Sequence, residues 1–471
     1  MGTGQGSARR SRSGGTGAAG TGNPRALALR TIRRVVEEGA YSNLALAGEL
    51  ERSPLPDPDR RFAADIVYGT LRKLLVLDRE LARASARPLR AVDPEPLCIL
   101  RMGAYQLLFT RVPPHAAVGE TVELAGPRTR GFVNAVLRKL SAGQAEPPHG
   151  ESDQAVSART GLTPWAVTEL RRLLPDGEVE EAAAALASPA PLSLRTNTCR
   201  TSPHVLRDLL ESAKYTVAPG THHPDVLRVP SAVPSKLPGY AEGWFAVQDE
   251  ASVLVAEAVQ VEPGDRVLDA CAAPGGKAAH LACRVGERGL VVGADLHEGR
   301  ARLVRAGARR LGVRVAALVQ DASHPALRGT FDAVLVDAPC SGLGAARRRP
   351  ELLWRPARTD LARLARLQVA ILRGVADLVK PGGRMVYSVC TFTRAETDAA
   401  VRAFLSRCPD FEQAEVPGPD GRATSHRLWP HVHGTDAMFV AAFTRSASDL
   451  PYDAPMAPGS SSPGSLPRSS L

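Results

Sequence analysis

Between Asn23 and about Leu140, apolar residues recur at the three- and four-residue spacing of helices. In PRALALRTIRRVVEEG, Leu29, Ile32 and Val36 share a face, Pro24 stands near the start and Gly39 marks the stop. The same spacing runs through RRFAADIVYGTLRKLLVLDREL, PLCILRMGAYQLLF and GFVNAVLRKL, so residues 23–142 are expected to form an all-helical domain. The stretch SAGQAEPPHGESDQ, rich in Pro, Gly and polar residues, reads as a linker over 143–154. Over 155–245, helical pieces (PWAVTELRRLL, SPHVLRDLLESA) mix with short extended ones (PLSLRTN, DVLRVP), which predicts a small α+β domain. From Gln248 the pattern becomes strands alternating with helices: DRVLDA, GLVVGAD, RVAALVQD, FDAVLVDAP, GRMVYSVC and AMFVAAFTR. Such alternation predicts a doubly wound α/β domain with a mainly parallel sheet over 246–445. Residues 1–22, which are basic, and 446–471, rich in Ser and Pro, read as disordered tails.

Composition refines this picture. A chain of 471 residues has room for two or three domains, and 44% hydrophobic residues supply their cores. Aromatics are only 4%, so those cores must be mainly Ala, Leu and Val. The formal charge is +10, and only six of the 59 basic residues are Lys. The planar arginine fork suits phosphate, which favours a nucleic-acid partner; a G+C-rich coding bias raises Arg equally well without one. Seven cysteines include no C-x-x-C pair, which argues against zinc, and their odd number argues against a disulfide framework. No segment approaches the roughly 20 apolar residues of a membrane span. The expectation is a metal-free, cytoplasmic, monomeric protein in a reducing compartment.

In a doubly wound sheet, ligands bind beyond the carboxyl ends of the strands. The first strand runs into DACAAPGGKAAHL, Asp269 to Leu281, where Gly275 and Gly276 let the backbone approach a ligand at a helix N-terminus. A phosphate-binding P-loop does not fit: Cys271 stands where its first Gly belongs, and Ala278 follows Lys277. The dinucleotide fingerprint G-x-G-x-x-G is absent as well. Asp295 ends the second strand, where an acid reaches ribose hydroxyls, and Asp321 ends the third, placed for an adenine amino group. A nucleoside with a carboxylate and no phosphate suits this set, namely S-adenosylmethionine. Lone aspartates at strand ends also serve as helix caps.

The fourth strand ends in Asp337-Ala338-Pro339-Cys340, and a later one ends in Cys390. Amino-methylating enzymes carry an aromatic where Cys340 stands; a cysteine cannot stack on a base but can act as a nucleophile. Carbon 5 of cytosine is too poor a nucleophile to take a methyl group directly. A thiolate added at carbon 6 makes the ring an enamine, with an acid at N3 assisting, and a base later removes the carbon 5 proton. That chemistry needs a Cys and an Asp beside the cofactor. The bland alternative is that both cysteines are buried packing residues.

DACAAPGGK, LVDAPCSGLG…RRRPELLWR, VYSVCTF and HGTDAMFVAAF resemble the RsmB/Sun (Fmu) family of ribosomal RNA cytosine-C5 methyltransferases. RRFAADIVYGTLR, LRMGAYQLLF, PPHAAVGETVELA and GFVNAVLRKL resemble that family's NusB-like RNA-binding domain, and LSLRTN its small linking domain. The resemblance covers roughly Asn23 to Arg445. It implies a NusB-like all-α domain, a small α+β linking domain and a Rossmann-like catalytic domain acting on small-subunit ribosomal RNA. It also implies that Cys271, Ala272, Ala273, Pro274, Gly275, Gly276, Lys277, Asp295, Asp321 and Asp337 line the S-adenosylmethionine site. Cys390 is then the nucleophile and Cys340 the residue of product release. Cys98, Cys199, Cys283 and Cys408 match no catalytic motif and are expected to be structural. Departures from the family pattern are Ala338, Ala345-Ala346 and Ala437. The basic run Arg347, Arg348 and Arg349, beside a base-binding cysteine, is expected to contact phosphate rather than form a solvated loop, with Trp354 either stacking or packing. Gln248-Asp249-Glu250 reads as a helix cap. Two alternatives remain: a transfer-RNA cytosine-C5 methyltransferase, and a non-catalytic NusB-like RNA-binding factor that would not need Asp337, Cys340 and Cys390 together.

Overall fold

The computed structural model describes residues 22–143, 148–230 and 232–447. The two tails expected at the ends lie almost entirely outside the described residues. Seven helices open the chain: α1 (Pro24–Val36), α2 (Ser42–Glu51), α3 (Asp57–Arg72), α4 (Leu74–Ala84), α5 (Pro94–Phe109), α6 (Pro114–Val122) and α7 (Arg130–Ala142). Asn23 caps α1 by accepting from the Arg25 and Ala26 N–H groups, and Leu27, Ile32 and Val35 fill the common core with Ile66, Leu77 and Ile99. Helices α3 and α5 touch closely at Gly69, where a Cβ would fall 1.9 Å from the Tyr105 ring.

The segment expected to be one α+β unit packs as two. Helices α8 (Asp153–Thr160), α9 (Pro164–Arg171) and α10 (Asp176–Leu186) share a core with Leu343, Leu353, Phe392 and Trp429 of the C-terminal domain. The strands β1 (Leu192–Thr196), β2 (Ala218–Pro219), β3 (Val226–Val229) and β4 (Phe245–Val247), with helix α11 (Pro203–Ser212), form a separate antiparallel sheet ordered β2-β3-β1-β4. Its own core is Leu194, Leu206, Leu210, Leu227 and Phe245.

The C-terminal domain follows from α12 (Glu250–Glu257), β5 (Arg266–Asp269), α13 (Gly276–Val285), β6 (Leu290–Asp295), α14 (Glu298–Leu311), β7 (Ala316–Val319) and β8 (Phe331–Asp337). It continues through α15 (Asp360–Ala376), β9 (Val379–Val389), α16 (Asp398–Leu405), β10 (Phe411–Ala414), the hairpin β11 (Val416–Gly418) and β12 (Gly421–Ala423), β13 (Ser425–Leu428) and β14 (Met438–Arg445). The sheet order is β10-β14-β9-β8-β5-β6-β7, with β13 also on β14. β5 to β9 are parallel, whereas β14, β10 and β13 pair antiparallel. The near-continuous apolar strands Val334–Val336 and Met385–Val389 are buried because helices cover both faces. Asp249 caps α12, accepting from the Ala251 N–H at 3.0 Å, as the sequence suggests.

One cysteine expectation is corrected. Cys199, after β1, and Cys283, in α13, are joined by a disulfide, with Cα atoms 5.8 Å apart, which ties the small sheet domain to the catalytic domain. The parity of cysteines in a sequence does not report which two meet in space. Among the described residues no helix is long and apolar enough to cross a membrane.

Candidate active site

The carboxyl ends of β5, β6, β8 and β9 converge, as the strand order requires. After β5 the chain passes Cys271 and Ala272, whose N–H is held by the Ala294 carbonyl at 2.8 Å. It continues through a cis Ala273–Pro274 bond to Gly275 at φ +104°. A Cβ on Gly275 would meet the Val304 backbone at 3.0 Å, so only glycine turns the chain here. Helix α13 begins at once and has no side-chain cap, which leaves its first N–H groups to a ligand.

Asp269 was not singled out from the sequence, yet it is the most telling group of this cradle. It is 1% exposed, and neither carboxylate oxygen has a hydrogen bond of good geometry. Burial, with Asp337 nearby, pushes its pKa up to about 7. Buried orphan carboxylates are rare, and free N–H groups beside one fit a ligand bearing both a cation and a carboxylate. The residues therefore suit the amino-acid end of S-adenosylmethionine. Asp295 is buried and accepts from Arg300 Nε on both oxygens (3.0 Å each) and from the His297 N–H at 3.2 Å. Arg300 also reaches the Ala273 carbonyl at 3.1 Å, tying Asp295 to the Gly turn. Asp321 lies past the end of β7, more exposed, and accepts from the Ser323 N–H and hydroxyl, which hold its pKa below the usual range.

Asp269 has a consequence for stability. Its native pKa lies above the unfolded value near 4, so between about pH 4 and 7 the native state keeps a proton that the unfolded chain has lost. This group's contribution therefore declines as pH rises through that window. Asp436, also pushed up to about 7 by burial, acts in the same sense; His280, pushed down to about 4 by burial, acts oppositely. Asp269→Asn is expected to gain stability relative to the wild type as pH rises from 5 to 7.5. Urea unfolding of both proteins at those two pH values measures it, and parallel pH profiles would refute it.

β8 and β9 are neighbours, with Asp337 paired to Ser388 in register. Asp337 is held on both oxygens, Oδ1 by Ser388 Oγ and Oδ2 by Lys277 Nζ, each at 2.8 Å. Lys277 reaches it from the first turn of α13 and also donates to Ser252 Oγ at 3.3 Å. Just beyond, Cys340 Sγ and Cys390 Sγ are 3.3 Å apart. The Gly344 N–H donates to the Cys390 carbonyl at 3.0 Å, binding the two strand ends together. The hydrogen bond to Cys390, with burial and the charges of Glu396 and Asp337, pushes the Cys340 thiol well above its ordinary value.

The side chains of the basic run make hydrogen bonds within the protein. Arg347 donates to the Gly434 (2.7 Å) and Thr435 (3.0 Å) carbonyls. Arg348 bridges Asp249 (2.6 Å) and Asp436 (3.0 Å) and reaches the Pro191 carbonyl. Arg349 lies over the Tyr41 ring, and Trp354 Nε1 donates to the Leu71 carbonyl at 2.9 Å. Arg355 donates to the Val35, Gly39 and Ala40 carbonyls at the end of α1. Arg349, Trp354 and Arg355 strap the helical domain to the catalytic domain, while Arg347 and Arg348 hold the Gly434–Asp436 loop. Arg348→Ala would take the shared cation from Asp249 and Asp436 and is expected to cost about 3–5 kcal/mol. Chemical denaturation measures this; wild-type stability with a shallower salt dependence of RNA binding would return Arg348 to the RNA.

Sequence models of three families match the chain: 16S rRNA methyltransferase RsmB/F over residues 256–444, the NusB family over 22–142, and an RsmF/B-like methyltransferase ferredoxin-like domain over 163–236. Ribosomal RNA small subunit methyltransferase B of Vibrio cholerae is 36% identical over 436 residues, spanning 90% of this chain and 98% of that protein. The Klebsiella pneumoniae protein of the same name is 34% identical over 89% of this chain and 97% of its own. The crystal structure of PH0851 shares the fold with a TM-score of 0.77 at 24% identity, covering 89% of this chain and 98% of that one. The Pyrococcus horikoshii NSun6 structure with SFG aligns with a TM-score of 0.54 at 22% identity, over 60% and 98% of the two chains.

Proposed function

The chain belongs to the RsmB/F family of 16S rRNA methyltransferases, and from that premise we propose that it methylates carbon 5 of a cytosine in small-subunit ribosomal RNA through a covalent bond to Cys390. The observation that carries this reading is the pair of sulfurs 3.3 Å apart at the ends of adjacent strands, next to a carboxylate held by a lysine. S-adenosylmethionine, when bound at the Gly275–Gly276 turn, supplies an electrophilic methyl group. Asp269 and the first N–H groups of α13 hold its amino-acid end, Asp295 its ribose, and Asp321 its adenine.

Cys390 is assigned as the nucleophile because its contact with Cys340, burial and the nearby Glu396 and Asp337 charges disfavour a Cys340 thiolate. When Cys390 adds to carbon 6, electron density moves to N3, where Asp337 hydrogen-bonds the ring and assists its protonation. Carbon 5, made nucleophilic by this addition, would take the methyl group, and transfer of the carbon 5 proton to a base would then expel the Cys390 sulfur. Cys340 stands beside the breaking carbon–sulfur bond and serves release.

Bisulfite sequencing of total ribosomal and transfer RNA from a deletion strain tests this reading. The expected result is the loss of methylation at a small-subunit ribosomal cytosine, restored by the wild-type gene and not by Cys390→Ala. Loss confined to a transfer RNA would assign the other substrate class.

A further inference from the structure

Both cysteine-bearing strand ends lead to one buried carboxylate. Glu396, in the loop from β9 to α16, is 0% exposed. Its Oε1 accepts from the Ser341 N–H at 2.8 Å and from Gln368 Nε2 at 3.1 Å. Its Oε2 accepts from Ser341 Oγ at 2.6 Å and from Thr393 Oγ1 at 2.8 Å. Gln368, on α15, also donates to the Pro339 carbonyl at 3.0 Å. Ser341 Oγ lies 2.8 Å from Thr391 Oγ1. With its one proton given to Glu396, Ser341 accepts there from Thr391. Ser341 follows Cys340 and Thr391 follows Cys390, so the residue after each cysteine is tied to the same carboxylate.

A fully buried carboxylate is an expensive way to gain stability, since apolar residues of similar volume commonly do as well. What four converging donors supply is fixed geometry. We propose that Glu396 is a positioning residue that locks the Pro339–Gly342 loop against the end of β9 and so sets the approach of Cys340 to the Cys390 sulfur during product release. This inference rests on the release role given to Cys340 above.

The test uses the full chain, a small-subunit rRNA transcript and methyl-labelled S-adenosylmethionine, with denaturing gels to detect labelled protein–RNA adduct. Glu396→Ala, with Cys340 still present, is expected to accumulate at least about tenfold more adduct than the wild type, and to lose turnover more than first-round methyl transfer. Glu396→Gln is expected to restore most release, because the Ser341 and Thr393 hydroxyls can turn to accept from its amide while its oxygen keeps the two N–H donors. A role in stability alone would lower melting temperature and methyl transfer together without adduct, and that result overturns the proposal. Cys340→Ala run in parallel separates the two readings. If it traps adduct and folded Glu396→Ala does not, only the Glu396 inference fails. If Cys340→Ala traps none, the release role fails and takes this inference with it. Should Glu396→Ala not fold, Ser341→Ala decides, since it removes the Thr391–Ser341–Glu396 link alone; wild-type release from that variant overturns the proposal.

Discussion

Cys390→Ala is expected to abolish both methyl transfer and any covalent RNA adduct, a loss of about 10⁴-fold or more, because no other group replaces an attacking thiolate. Cys340→Ala is expected to behave differently. Its Cys390 still attacks and the methyl group still moves, but release stalls, so a methylated protein–RNA complex should survive denaturing electrophoresis. The geometry sets this asymmetry. The two sulfurs lie 3.3 Å apart, and the contact with Cys390, burial and the Glu396 and Asp337 charges hold the Cys340 thiol well above its ordinary value. Labelled adduct in Cys390→Ala and none in Cys340→Ala would exchange the two roles. Both variants retaining turnover with reduced stability would make the cysteines packing residues.

Asp337→Asn is expected to lower single-turnover methyl transfer by about 10²–10⁴-fold, the usual worth of a positioned acid–base group. Asparagine keeps the shape and one acceptor oxygen but loses the charge that faces Lys277 across 2.8 Å. A loss of about 1–3 kcal/mol in stability should accompany it, since a largely buried donor loses its charged partner. Rapid-quench assays on RNA-saturated enzyme separate the two effects. A wild-type rate with only the stability loss would leave Asp337 a structural partner of Lys277 and Ser388.

The sequence carries the helical domain well, because Leu29, Ile32 and the apolar residues of α3 and α5 repeat at helical spacing whatever their tertiary partners. It carries the two cysteines and Asp337 for a similar reason: each ends a continuous apolar strand, and a parallel sheet delivers such ends to one edge. Asp269 lies within the DACAAPGGK motif, but nothing in a string of letters shows that a buried carboxylate lacks a hydrogen bond of good geometry. The pairing of Arg348 is not legible in the sequence because the carboxylates that enclose it, Asp249 and Asp436, lie 99 and 88 residues away. Glu396 escaped notice likewise, since its main donor, Ser341, lies on a different strand end. Helices α8 to α10 share a core with residues of the catalytic domain, which amphipathic spacing does not show, since it says that a face is buried and never against what.

The strap from Ala346 to Arg355 also bears on how such a protein can change over generations. Trp354 packs against the helical core on one side and against the α8–α10 core on the other, and buried Glu351 accepts from the Ser42 N–H at 3.3 Å. The wall between RNA-binding helices and catalytic sheet is thus built from both. A module grafted from a distant relative would arrive with the wrong half of that wall. Recognition and chemistry here are inherited as one piece, and each half limits which substitutions the other can accept.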